Sequence, residues 1–188
     1  MPTSSRVTTH SLSRHALVAN KDFLQLFWDL AKPDELLQQQ CARKLLFFLT
    51  TDSSDQKADN FGYTKLRLIR GLASARGRSG FALALTVLLE NKLIPPAEIL
   101  SELEATHSFK AGQSGQEEVD ICLALCFGVL SIVRSGVLAK EQRENEQETV
   151  EVIRKIIRVM LHCASKKPRL SEVCFSSLVL LLTQVFFL

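Results

Sequence analysis

The sequence predicts an all-α protein, and within that class an α-solenoid of antiparallel helix pairs of the HEAT or armadillo kind. Apolar residues recur at spacings of three and four through most of the 188-residue chain, in segments of about 12 to 20 residues joined by short turns. The helices fall into pairs at roughly 40-residue intervals, as stacked repeats do. No stretch shows the every-second-residue alternation of a half-buried strand. Identity between the units is poor, so a single irregular bundle is the competing architecture.

Residues 1–12 are polar, Ser/Thr-rich and without period, and read as a disordered lead; 13–188 read as one helical-repeat domain. Asn20 is a candidate cap for a first helix carrying Phe23, Leu26, Phe27 and Leu30 on one face. Lys32-Pro33 ends that helix, because proline disfavours helical geometry in the residue before it. Pro33 then suits the first turn of a second helix, where Leu36, Leu37, Cys41, Leu45, Phe48 and Leu49 share a face until the polar loop TTDSSDQKADN. A third helix is expected over 62–72, and a fourth over 79–91 that is apolar on nearly all sides and therefore central. IPPAEIL opens a fifth, running to about His107. After Gly112 and Gly115 a long apolar helix spans Val119 to Val133 and stops at Ser135-Gly136. The polar segment KEQRENEQETVE leads into a helix from Val150 to Cys163; Pro168 breaks the chain again, and Ser171 is placed to cap a last helix with Glu172 in its first turn.

Composition excludes several classes. With 46% hydrophobic residues the chain can bury a core, and a net charge of +3 is too mild to define a nucleic-acid binder. Cys41, Cys122, Cys126, Cys163 and Cys174 are odd in number and sit inside apolar helical patterns, as reduced core thiols of an intracellular protein do. The N-terminus lacks the apolar stretch of a signal peptide. Val173 to Leu188 is apolar enough to suggest a tail anchor. It is shorter than the roughly 18 to 20 residues of a span and is interrupted by Ser176, Ser177, Thr183 and Gln184, so no membrane partner is expected. The ending Phe186-Phe187-Leu188 is neither a polar cap nor covered by a neighbour, which reads as a truncated solenoid.

The chemistry-bearing residues form no catalytic pattern. Cys122 and Cys126 share a helical face, but no Cys or His pair at zinc-site spacing accompanies them, and His10, His15, His107 and His162 are scattered. The stretch GRSG at 77–80 has glycines but no preceding strand, as a phosphate-binding loop requires. Asp52, Asp55 and Asp59 fall in a polar loop rather than on rigid neighbouring elements. No enzyme activity, metal or cofactor is expected.

Charge distribution is more informative. Between Asp59 and Glu90 there is no acidic residue, while Lys65, Arg67, Arg70, Arg76 and Arg78 fall within fourteen positions. Cations here complement the C-terminal dipole of the third helix, and the amides of the next helix add to an anion-attracting surface. A second cluster, Arg154, Lys155, Arg158, Lys166, Lys167 and Arg169, lies within 154–169. Three readings fit both clusters: solvated solenoid faces, contact with a phosphate backbone, or recognition of an acidic protein.

Four stretches carry a family resemblance: FLQLFWDLAKP (Phe23–Pro33), YTKLRLIRGLASARGRSGFALALTVLLE (Tyr63–Glu90), CFGVLSIVRSGVL (Cys126–Leu138) and KKPRLSEVCFSSLVLLL (Lys166–Leu182). In this order they resemble the N-terminal region of the Myb-binding protein 1a family, also called the DNA polymerase V, or phi, family. The Arg76–Gly80 loop is shorter than the family's usual arginine-containing loop. The resemblance implies a nuclear and nucleolar helical-repeat protein that regulates transcription, in part as a corepressor, and takes part in ribosomal RNA synthesis and ribosome biogenesis. Its implied partners are transcription factors or ribosome-assembly proteins, with direct DNA or RNA binding through 65–78 and 154–169 as the alternative. Despite the family name, a polymerase palm needs strands presenting paired metal-binding carboxylates, and this sequence offers neither.

Overall fold

The computed structural model describes residues 21–51, 57–143 and 145–187. The expected lead over 1–12, the Asn20 cap, Asp52 and Asp55 lie outside them. Every regular element among the described residues is helical: α1 (Lys21–Leu30), α2 (Glu35–Thr51), α3 (Lys57–Gly71), α4 (Arg78–Glu90), α5 (Pro96–Thr106), α6 (Gly115–Arg134), α7 (Val137–Gln142), α8 (Glu146–Lys166), a 3₁₀ turn (Pro168–Leu170) and α9 (Ser171–Phe187). The all-α prediction holds.

Several boundaries differ from the sequence reading, each for a local reason. Asp34, not Pro33, opens α2: its carboxylate accepts from the Leu37 amide at 3.0 Å, leaving the proline outside the helix. α3 begins at Lys57, so Asp59 stands in its first turn rather than in a loop. α6 begins at Gly115 because Ser114 and Glu117 form a reciprocal capping box, the serine hydroxyl accepting from the Glu117 amide at 3.2 Å and Glu117 from the Ser114 amide at 2.7 Å. Asn145 likewise caps α8, starting it at Glu146, before the expected apolar onset. α7 was not anticipated; Gly136, at φ +66°, supplies the left-handed residue that separates it from α6. Ser171 has helical geometry and follows the 3₁₀ turn, so it does not cap α9.

Consecutive helices pack as hairpins, α1 on α2, α3 on α4, α5 on α6 and α8 on α9. Between hairpins, α2, α4, α6 and α9 contact one another in succession, and α3, α5 and α8 form a second succession. α4 is central, with Phe81, Ala84, Leu85, Leu88 and Leu89 buried between α2, α3 and α6. At its start α4 passes so close to the end of α1 that a β-carbon on Gly80 would lie 2.0 Å from the Leu30 carbonyl oxygen. Buried Gln38 spans the same junction, donating from Nε2 to the Lys32 carbonyl at 2.6 Å and to Ser79 Oγ at 3.4 Å.

Candidate functional site: a cationic edge

The hairpin turns α3–α4 (72–77), α5–α6 (107–114) and α8–α9 (167–170) lie along one edge of the molecule. His107 Nε2 is 2.8 Å from the Ile69 carbonyl, tying the end of α5 to the end of α3. Ala73, Ser108, Lys110 and Asp120 line one cavity there, and Gln116 and Val119 line another with Lys167 to Leu170.

The start of α6 joins the three turns. Asp120 receives Arg78 Nη2 at 3.1 Å on one side, and Glu118 receives Lys167 Nζ at 2.7 Å on the other. The Lys167 ammonium, by hydrogen bond and then charge, holds the Glu118 carboxyl below its ordinary range. Glu117 is used in the capping box. The acids nearest the turns are therefore engaged internally.

This divides the five predicted site residues. Arg78 is buried: Nε donates to the Leu72 carbonyl at 2.7 Å, Nη2 to the Ala73 carbonyl at 3.0 Å, and the guanidinium lies 5.8 Å from the Phe127 ring centre. It closes the C-terminal end of α3, as a cation suits that end of the dipole, and is unavailable to a partner, which corrects its assignment to the binding face. Lys65 is half-buried and ion-paired with Glu98 of α5. Arg67 is half-buried, Arg70 and Arg76 are exposed, and the side chain of none of these three has an ion pair or hydrogen bond among the described residues. The glycines of this turn accommodate Phe81: a β-carbon on Gly71 would lie 2.3 Å, and one on Gly77 2.4 Å, from its ring. The glycines of this loop thus serve packing.

The second cluster divides in the same way. Lys167 is held by Glu118 and Arg154 by Glu151, whereas Lys155, Arg158, Lys166 and Arg169 are exposed. His162 joins them, since 155, 158, 162 and 166 share one face of α8. Its ring meets Phe109 edge-on at 5.1 Å, and Lys166 Nζ is 5.6 Å from the Phe109 ring centre, beside a cavity of about 260 Å³ reaching His107 and Arg158. The sequence reading missed His162 and Phe109; the four-residue steps from Arg158 to His162 to Lys166 were the available signal for the histidine.

His107 sits below this edge and is buried. Burial lowers its pKa from the usual 6.5, opposed in part by the Ile69 carbonyl. Because the folded value lies below the unfolded one, the unfolded chain takes up the proton first. Stability is therefore complete above about pH 6.5 and falls as pH drops toward the folded value. Urea titrations between pH 7.5 and 5.5 are expected to show this loss in the wild type and a weaker slope in His107→Gln, which has no titrating group at that position.

All five cysteines are buried and free. Cys163 of α8 and Cys174 of α9 adjoin Cys122 and Cys126, with Cys126 and Cys174 sulfurs 3.6 Å apart, although none of them stands at zinc-site spacing in the sequence. Burial and the neighbouring thiols push Cys174 up to about 12, the opposite of an activated nucleophile. Among the described residues no group of three or more His, Cys, Asp or Glu is arranged to hold a metal ion, and no helix is long and apolar enough to cross a membrane.

Among the described residues, fold and edge together define a helical protein with cations along its hairpin turns that have no ion pair. The sequence profile of DNA polymerase phi matches residues 63–186, most of the chain, and the protein belongs to that family. It is 32% identical to the rDNA transcriptional regulator pol5 of Schizosaccharomyces pombe over 89% of this chain and 17% of that protein. It is 33% identical to Myb-binding protein 1A of Mus musculus over 77% of this chain and 10% of that protein, and 29% identical to the human protein of that name over 98% and 14%. The chain thus spans under a fifth of the length of these relatives, which are named as regulators or binding proteins despite the polymerase in the family's name. No solved structure matches it.

Proposed function

We propose that this chain is a non-enzymatic interaction scaffold, one stretch of an α-solenoid, that acts in the nucleus and nucleolus in regulating ribosomal RNA transcription and ribosome biogenesis. The names of its relatives support the setting. The hairpin pairs and their two successions of contacts support the solenoid. The observation that carries the scaffold reading is the division of the cations: Arg78 and Lys167 build the edge, while Arg70 and Arg76 stand exposed upon it with no ion pair among the described residues. Such a surface suits an acidic protein segment, on a transcription factor or a ribosome-assembly protein. The residues 13–188 are read as one helical-repeat domain.

Phosphate-backbone contact is the second reading, favoured by the cationic face of α8 with Phe109 and His162 beside it. A photo-cross-linker placed at Arg76, with Gln147 at the far end of α8 as control, tests both in nuclear extract. The scaffold reading expects protein adducts specific to position 76. Nucleic-acid adducts, together with retention on DNA or RNA that falls steeply with salt, select the second reading. Adducts no more abundant at 76 than at 147 contradict both.

A further inference from the structure

The cavity between the α5–α6 turn and α8 holds a polar atom that the fold leaves unused. His107 is 6% exposed and lines it. Its Nε2 meets the Ile69 carbonyl at 2.8 Å, and a carbonyl only accepts, so this nitrogen carries the ring hydrogen. Burial keeps the ring neutral at pH 7. Nδ1 is then an acceptor, and it has no hydrogen bond among the described residues. Among those residues no side-chain nitrogen or oxygen is both sealed from solvent and unbonded. Nδ1 therefore reaches open space, and the open space that His107 lines is this cavity of about 260 Å³.

The surroundings decide what can satisfy it. Buried Leu125 and Val159 and half-buried Phe109 give apolar walls. The mouth is cationic: Arg158 and His162 line it, Lys155 and Lys166 stand beside it on the same face of α8, and all four are exposed. Glu104 is the one acid among the lining residues. A partner's lysine or arginine would carry its charge in past these cations, and a nucleobase has polar atoms around its edge where the walls are apolar. A ring with one donor at its far end meets both conditions, and that is the phenol of tyrosine. An apolar cavity of about 150 Å³ already holds benzene, so a single phenol has room. We propose that the cavity takes an unphosphorylated tyrosine of an acidic protein segment, its hydroxyl donating to His107 Nδ1 and the flanking carboxylates facing Arg158 and Lys166. This rests on the scaffold reading for its acidic partner but uses a place apart from Arg70 and Arg76. An aromatic side chain seated in a pocket and ringed by polar contacts is a common anchor of an interface. Phosphorylation removes the donor that Nδ1 requires.

Fluorescence anisotropy on the 188-residue chain, with a labelled acidic peptide containing one central tyrosine, tests this. The tyrosine peptide is expected to bind, and its phenylalanine counterpart to bind about tenfold more weakly, the loss implied by one buried acceptor left unmet. The phosphotyrosine counterpart should lose at least as much. Ser108→Trp, at an exposed position on the cavity rim, should abolish the distinction among the peptides with unchanged helical circular dichroism. Glu104→Trp, also exposed and on the rim, takes its place should that variant fail to fold. Equal affinity for peptides with tyrosine, phenylalanine or alanine at the centre overturns the cavity's role while leaving an acidic partner in place. Absence of binding by all of them overturns the acidic partner as well. Tighter binding of the phosphotyrosine peptide overturns the proposal. So does single-stranded RNA that displaces the tyrosine peptide from the wild type yet fails to bind Ser108→Trp, which would assign the cavity to a base.

Discussion

Arg78→Ala lowers the unfolding free energy by about 3–5 kcal/mol, the range for removing one member of a buried, hydrogen-bonded charge pair. The side chain leaves two carbonyls, Leu72 and Ala73, and the Asp120 carboxylate without their donor in a site where the arginine is 10% exposed. Asp120, 34% exposed, retains water, so Asp120→Asn is expected to cost about 1 kcal/mol or less. Arg78→Lys should recover little, because one ammonium cannot reproduce the fork that reaches both carbonyls and the carboxylate. Urea denaturation of the three variants checks the order. Equal losses for Arg78→Ala and a surface control such as Arg70→Ala would show that Arg78 is not the brace described.

Gly80→Ala is expected to cost about 3 kcal/mol, even though alanine is the better helix former. Its β-carbon would lie 2.0 Å from the Leu30 carbonyl oxygen and 2.9 Å from its carbon, and backbone cannot swing aside as a side-chain tip can. α1 would have to move off α4, loosening the Phe23 and Phe27 packing and the Gln38 bonds. Gly62→Ala is the control: it lies within α3 with nothing within 4 Å of the added carbon, so the same change should stabilise by about 0.5–1 kcal/mol. Opposite signs for the two substitutions, measured by thermal or urea unfolding, are the expected result. A neutral Gly80→Ala would mean that α1 and α4 are not in the close contact described.

What could be read in the sequence follows from how local each signal is. The helices declared themselves through apolar spacing, and α4 through its lack of a polar face. The early starts of α6 and α8 were also legible, since Ser114 and Glu117, and Asn145 and Glu148, are S/N-x-x-E signatures at helix starts; the apolar run drew attention past them. The cationic stretch around 65–78 was visible as composition. That Arg78 turns inward was not, because its partner Asp120 lies 42 residues away and its carbonyl acceptors exist only once α3 has ended. The gathering of Cys122, Cys126, Cys163 and Cys174 was hidden for the same reason: it depends on α6 of one hairpin meeting α8 and α9 of another. Phe109 and His162 illustrate a further limit. One sits in a turn and the other on a helix, and only the packing of the α5–α6 turn on α8 makes them neighbours.

The central claim is that Arg70 and Arg76 serve binding while Arg78 serves the fold. It is tested most directly by pulse-labelled pre-ribosomal RNA synthesis in cells expressing the chain, comparing wild type with Arg70→Glu/Arg76→Glu. The double variant should unfold within about 0.5 kcal/mol of wild type, as exposed substitutions do, yet lack the effect on pre-ribosomal RNA synthesis that the proposed function expects of the wild type. A folded double variant that alters synthesis as fully as the wild type would contradict the account.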